Sequence, residues 1–282
     1  VPAVAGLTRA VCVLGFHPIL RMSSQQDPFA IASARSFVLI VGNARSGSTM
    51  LGSVLDGHPK AVVANETAGS ANLWRTMSGP QILHEVRDNA VQAARSGRAS
   101  EGYRYQIGPS PDAKGEVWLA GDKAWNPALL MLHGKPDLLP SLEDRLQMPV
   151  RLVHAIRNPF DTIATMHRRS GASIEDRTRW YFMHCEAAAA LRDRLPATHF
   201  LNSHHADLLA DPAAELHRLC DFLGLPVVEE HRAAVARVLF ERPRRTAALV
   251  PWTAAQRRAI VTRMAEFEFL DRYRTELPRE PD

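Results

Sequence analysis

The chain has 282 residues, of which 46% are hydrophobic and 23% charged, and a formal net charge of +4. That length holds one large α/β domain with a real core, or at most two small ones, and the composition is that of an ordinary globular protein. The basic excess is mild and spread along the chain as arginine, which suits a small anionic ligand and argues against a nucleic-acid partner.

The three cysteines, Cys12, Cys185 and Cys220, are widely spaced and form no CxxC. This supports neither a zinc knuckle nor a redox dithiol, argues against a secreted disulfide framework, and points to a reducing, cytoplasmic compartment. Residues 1–22 are mildly apolar, but Arg9, His17 and Pro18 interrupt the run. It is too short and too broken for a membrane span, and no A-x-A cleavage site follows. Residues 1–35 are expected to be a poorly ordered extension, with Met22 as the natural start, and 36–282 to form the domain.

Phe37–Val41 is an all-apolar run ended by Gly42, the pattern of a buried parallel strand. The loop Gly42-Asn43-Ala44-Arg45-Ser46-Gly47-Ser48-Thr49 follows, and then a helix from about Thr49 to Leu55, closed by His58-Pro59. The loop has the spacing G-x-x-x-x-G-[K]-[ST], with Ser48 where a P-loop has lysine. Small residues let backbone N–H groups close around an anion, and the helix start adds positive potential. A kinase needs the missing lysine on its terminal phosphates. Arg45 and the hydroxyls of Ser46, Ser48 and Thr49 can bind one anionic group without a metal.

A second strand is expected at Ala61–Ala64, followed by Asn65-Glu66-Thr67. Glu66 is a candidate general base, because a carboxylate at a strand end beside a phosphate loop is placed to take a hydroxyl proton. Its plain alternative is a surface or helix-start carboxylate. Residues 69–112 read as helices with loop, the least regular stretch and the one best suited to contact an acceptor. Val117–Ala120 is a strand stopped by Gly121. After it come Asp122 and Lys123, the latter a candidate stabiliser of developing charge. The same segment also reads as a Walker-B-like strand with Asp122 on magnesium, which keeps a P-loop kinase using ATP as a competitor.

Leu152–Ile156 is the clearest later strand, and Arg157-Asn158-Pro159 opens a helix to about Arg169. An arginine at a strand end facing a helix start is a good second phosphate site. A long helix from Asp176 to Leu195, a strand at Thr198–Leu201, a helix from Asp211-Pro212 to Gly224 and a capping box at Thr253–Gln256 complete the chain. Cys185 and Cys220 fall in helical patterns as core residues, and the five tryptophans read as core. His199, His204 and His205 have no ligand partners at metal spacing, so no metal site is assigned. Arg242, Arg244 and Arg245 form a basic cluster before Val250-Pro251-Trp252. Strands alternating with helices predict a three-layer P-loop-like α/β fold, a central parallel sheet flanked by helices.

Taken together, Arg45-Ser46-Gly47-Ser48-Thr49-Met50-Leu51, the following His58-Pro59 and the later Arg157-Asn158-Pro159 resemble the PAPS-dependent sulfotransferases, PAPS being 3′-phosphoadenosine-5′-phosphosulfate. The run from Arg45 to Glu66 is most similar to the tyrosylprotein branch. The resemblance implies an enzyme that moves a sulfuryl group from PAPS to a hydroxyl-bearing acceptor by in-line displacement, releasing adenosine 3′,5′-bisphosphate (PAP). It implies the 5′-phosphosulfate in loop 45–49 and the 3′-phosphate at Arg157 and at Thr165, where the family mostly has serine. Arg169 matches a further basic position of the tyrosylprotein branch, and Arg244 or Arg245 the basic loop that closes the 3′-phosphate. It also implies Glu66 as base, with Lys123 and Arg45 stabilising charge. His205-Ala206-Asp207-Leu208 departs from the family's Y-E-D-L, which removes the tyrosine from the adenine side. Phe222-Leu223-Gly224-Leu225-Pro226 matches another family stretch. A catalytically inactive nucleotide-binding protein remains the other alternative. The acceptor and the oligomeric state are not legible.

Overall fold

A computed structural model describes residues 30–100, 103–239, 245–276 and 278. At its centre stands β1 (Ser36–Gly42), buried along its whole length. Its neighbours are β5 (Leu119–Lys123) and β6 (Val150–Ile156), with β2 (Ala61–Asn65) outside β5 and β7 (Phe200–His204) outside β6. All four pairings are parallel. From β1 the chain steps out to β2, returns as β5, and then crosses to the other side as β6. The C-terminal end of β1 is therefore a topological switch point, where open α/β sheets leave a crevice for ligands. A separate short hairpin joins β3 (Ala99–Ser100) to β4 (Tyr103–Arg104).

Side chains alternate across a strand, so β1 feeds two cores. Phe37, Leu39 and Val41 point into one of them and Val38 and Ile40 into the other. The first core is roofed by α2 (Gly79–Arg95), α3 (Pro127–Gly134), α4 (Leu138–Leu146), α5 (Pro159–Ser170), α6 (Ile174–Arg194) and α10 (Ala254–Met264). The second is roofed by α1 (Ser48–Asp56), α7 (His205–Ala210), α8 (Pro212–Leu223) and α9 (Glu229–Val238). This is the expected three-layer fold.

Some boundaries differ from the sequence reading. Gly121 lies inside β5 and does not stop it: a Cβ there would stand 2.5 Å from the Val38 carbonyl oxygen, so the glycine permits close strand approach. β7 runs over 200–204, three residues later than its expected end, because the Pro196–His199 turn occupies the start. The stretch expected to be least regular holds the 17-residue α2, started by a capping box of Ser78 and Gln81. His58 ties two motifs together. Its Nδ1 accepts from the Lys60 amide at 3.0 Å, so its Nε2 carries the proton and donates to the Pro226 carbonyl at 2.8 Å. Cys185 and Cys220 are buried free thiols, and Trp74 and Trp252 are core, whereas Trp125 is 48% exposed. No helix of the described residues is long and apolar enough to cross a membrane. The expectations for residues 1–29, Cys12 among them, lie outside the described residues.

Candidate anion-binding and catalytic site

The loop after β1 is shaped by three residues with positive φ: Gly42 (+149°), Arg45 (+73°) and Gly47 (+91°). A Cβ on Gly42 would stand 2.6 Å from the Ala155 carbonyl oxygen of β6. Buried Asn43 anchors the loop by donating to the Tyr181 carbonyl on α6 at 3.2 Å. Such reversals of handedness turn successive amides toward a common point, and α1 begins there with its unpaired N–H groups. The Ser46 hydroxyl is buried with no hydrogen-bond partner in the protein, as an anion-binding donor would be. His205, the first residue of α7, packs against Gly47, where a Cβ would come within 2.5 Å of its Cδ2. Burial, assisted by the charge of Arg157, holds this imidazole down to about 4, so it is a neutral wall of the loop.

A cavity of about 120 Å³ opens over the loop. Arg45, Gly47, Ser48, Thr49, Glu66 and Lys123 line it, all expected from the sequence. Tyr105 and Asn126, which line it too, are not. Asn126 carries a readable signal, an Asn-Pro pair opening α3 three residues after Lys123. Tyr105 carries none, since it follows a two-residue strand in an otherwise irregular stretch.

Glu66 and Lys123 meet because of strand register. Asn65 of β2 pairs with Lys123 of β5, and the Glu66 amide donates to the Lys123 carbonyl at 2.9 Å. Lys123 Nζ then donates to Glu66 Oε1. The lysine stem runs past α1 at Gly52, where an added Cβ would be 3.2 Å from Lys123 Cβ. Beneath them, Asp122 accepts from the Thr67 amide at 3.2 Å and the Thr67 hydroxyl at 2.9 Å. Burial pushes this carboxyl up to about 7. Asp122 thus braces the turn after Glu66 and is not part of the cavity wall, which corrects its Walker-B-like reading.

Arg157, at the end of β6, reaches the phosphate loop and donates to the Arg45 carbonyl at 3.4 Å. Arg45 and Arg157 are both held below the usual guanidinium range, chiefly by burial, and Arg45 further by the charges of Arg169 and Arg157. Arg157 and Arg169 thus add their charge to that of Arg45 at the cavity, a field that favours an anion of more than one charge. Asn158 caps α5 by accepting from the Phe160 amide at 2.9 Å. Two turns on, the Thr165 hydroxyl donates to the Asp161 carbonyl at 2.7 Å. The Asp161 carboxylate accepts from the Ala247 amide at 2.8 Å and feels both Arg157 and Arg245. That brings exposed Arg245 toward the same end of the site. Arg242 and Arg244 lie outside the described residues. Trp252 packs edge-on against Phe160 with ring centroids 5.2 Å apart.

Residues 150–230, from β6 through Arg157 to the start of α9, match the Sulfotransferase family. A comparison with curated proteins found no match. Among solved structures, sulfotransferase STF9 from Mycobacterium avium superposes with a TM-score of 0.51 at 15% identity, over 87% of this chain and 79% of its own. That likeness shows a shared fold. Two further matches are the sulfotransferase domain of the Synechococcus PCC 7002 olefin synthase (TM-score 0.46, 18% identity, 70% and 76% coverage) and mouse sulfotransferase SULT7A1 complexed with PAP (0.45, 13%, 84% and 86%).

Proposed function

We propose, on the premise that a sulfotransferase-family segment sits in a sulfotransferase fold, that this chain transfers a sulfuryl group from PAPS to a hydroxyl acceptor. The observation that carries the reading is the Glu66–Lys123 pair set beside a lysine-free anion loop. PAPS supplies a sulfuryl group on a phosphate leaving group. The loop residues Arg45, Ser46, Gly47, Ser48 and Thr49 hold the 5′-phosphosulfate. Arg157, Thr165, Arg169 and a C-terminal arginine, Arg244 or Arg245, hold the 3′-phosphate. A second charged phosphate explains why the crevice gathers three guanidinium groups where one would serve a single anion.

Glu66 takes the proton from the acceptor hydroxyl as that oxygen attacks sulfur. The new S–O bond forms as the bond from sulfur to the phosphate oxygen breaks, and PAP departs with the electron pair. Lys123, held at the end of β5, passes from the carboxylate to the sulfuryl oxygens, and Arg45 stabilises charge on the leaving side. The cysteine content supports a cytoplasmic location.

Calorimetric titration of the full chain with PAP, ADP and AMP, without added metal, tests this reading. PAP should bind at least about tenfold more tightly than ADP, and Arg157→Ala should remove that preference. Equal or tighter binding of ADP, improved by magnesium, would overturn it in favour of a kinase.

A further inference from the structure

A second cleft, of about 610 Å³, adjoins the catalytic cavity. Its size lies within the roughly 300–1,000 Å³ of small-molecule sites. Thr49 lines both spaces, and at the end of β2 the consecutive residues Asn65 and Glu66 divide them, Asn65 on the cleft and Glu66 on the cavity. The cleft wall is built of hydroxyls from Thr49 and Ser53, amides from Asn65, Asn89 and Gln92, and the guanidinium groups of Arg95 and Arg98. Among the described residues neither a carboxylate nor an aromatic ring lines it.

Two details point to a ligand. The Asn65 side-chain oxygen and Arg98 Nε are buried with no hydrogen-bond partner in the protein. Arg98 is 6% exposed and is held by Asp56 at 2.7 Å and the Val63 carbonyl at 2.8 Å. Asp56, behind the wall, is shared with buried Lys114, 3.5 Å away, so one carboxylate answers to two basic side chains. Asp112 acts on Arg95 only from outside the lining.

We infer that this cleft seats the body of the acceptor, and that the acceptor is a polar molecule bearing hydroxyl or amide groups and an anionic group set against Arg95 and Arg98. The inference rests on the sulfotransferase reading in one respect, that the hydroxyl to be sulfated reaches past Thr49 to Glu66. A large apolar or purely aromatic acceptor meets one apolar side chain in that wall, Ala93, and its burial would leave the amides and guanidinium groups unpaired.

The test is calorimetry of the full chain, with and without PAP, against three probes: a disaccharide carrying one uronic carboxylate, its neutral counterpart, and 4-methylphenol. Gln92 and Arg95 are exposed on α2, so Gln92→Leu and Arg95→Gln leave the core intact. The acidic disaccharide should bind at least about tenfold more tightly than either other probe. Arg95→Gln should abolish that margin, Gln92→Leu should weaken both disaccharides, and neither should change PAP affinity. No binding of the acidic disaccharide, equal or tighter binding of 4-methylphenol, or indifference to Arg95→Gln overturns the inference. If PAP fails to bind while the Arg95 dependence persists, the sulfotransferase reading falls and the cleft assignment stands.

Discussion

Lys123 Nζ donates to the carboxylate of Glu66 across the ends of two adjacent parallel strands, where the register sets Asn65 opposite Lys123. Lysine and carboxylate thus meet at one wall of the same small cavity. Replacing Glu66 by Gln keeps the shape and removes the base. Turnover of PAPS with an acceptor should fall about 10²–10⁴-fold, while PAP affinity stays within twofold to threefold of the parent, roughly the range of a neutral change. Radiolabelled sulfate transfer and calorimetry on one preparation read both; undiminished turnover would remove Glu66 from the mechanism.

Gly47 meets two constraints at once, a φ of +91° and the His205 ring. Gly47→Ala should weaken PAP binding more than about tenfold, since the left-handed conformation alone costs a side chain roughly 1–2 kcal/mol. Gly47→Ala with His205→Ala should recover part of the loss, because it clears the ring and leaves the backbone cost. Full recovery would show that φ does not matter there.

Asp56 compensates both Arg98 and Lys114 in the core beneath the cleft. Asp56→Asn keeps the volume but leaves two buried cations opposed by no charge. The folded state should lose about 3–5 kcal/mol, read by denaturant unfolding. A loss below about 1 kcal/mol would mean that Lys114 sheds its proton instead, the direction in which burial already pushes it.

Stability should fall as the solution is acidified from pH 6.5 toward 4. His154, His204, His205 and His231 are each held down to about 4, chiefly by burial, against an ordinary 6.5. Between those values the unfolded chain binds protons that the folded chain refuses, so their contribution is present above 6.5 and is lost as pH falls through 4. Asp122 works in the opposite sense. Pushed up to about 7 from 3.8, it contributes fully below 3.8 and loses that contribution as pH rises through 7. Asp161, also raised by burial, acts with Asp122, whereas His58 and His184, also lowered by burial, act with the other histidines; six groups outweigh two, so Tm should drop steadily from pH 6.5 to 4.5. A flat or rising Tm over that range would contradict the assignment of these histidines as neutral.

The chain order carried the α/β alternation, the glycine-bounded loop after the first strand, the Asn158-Pro159 helix start and the Thr253–Gln256 capping box. These depend on periodicity and local backbone chemistry, which neighbouring residues specify among themselves. Loop 45–49, Glu66, Lys123 and Arg157 were legible for the same reason: each directly follows or ends an apolar strand, and parallel strands deliver their C-terminal ends to one edge. Sequence could not show that β5 runs on through Gly121, because that depends on how closely Val38 approaches it. Nor could it show that Asp122 turns beneath the site to hold Thr67, or that His205 comes to rest on Gly47, 158 positions away in numbering. The polar cleft is of the same kind, since Thr49, Asn65 and Arg98 share a wall only after α1, β2 and the end of α2 have packed. Local pattern fixes which residues stand at strand ends; sheet order, register and side-chain packing decide which of them face one another, and those are set by burial across the whole chain.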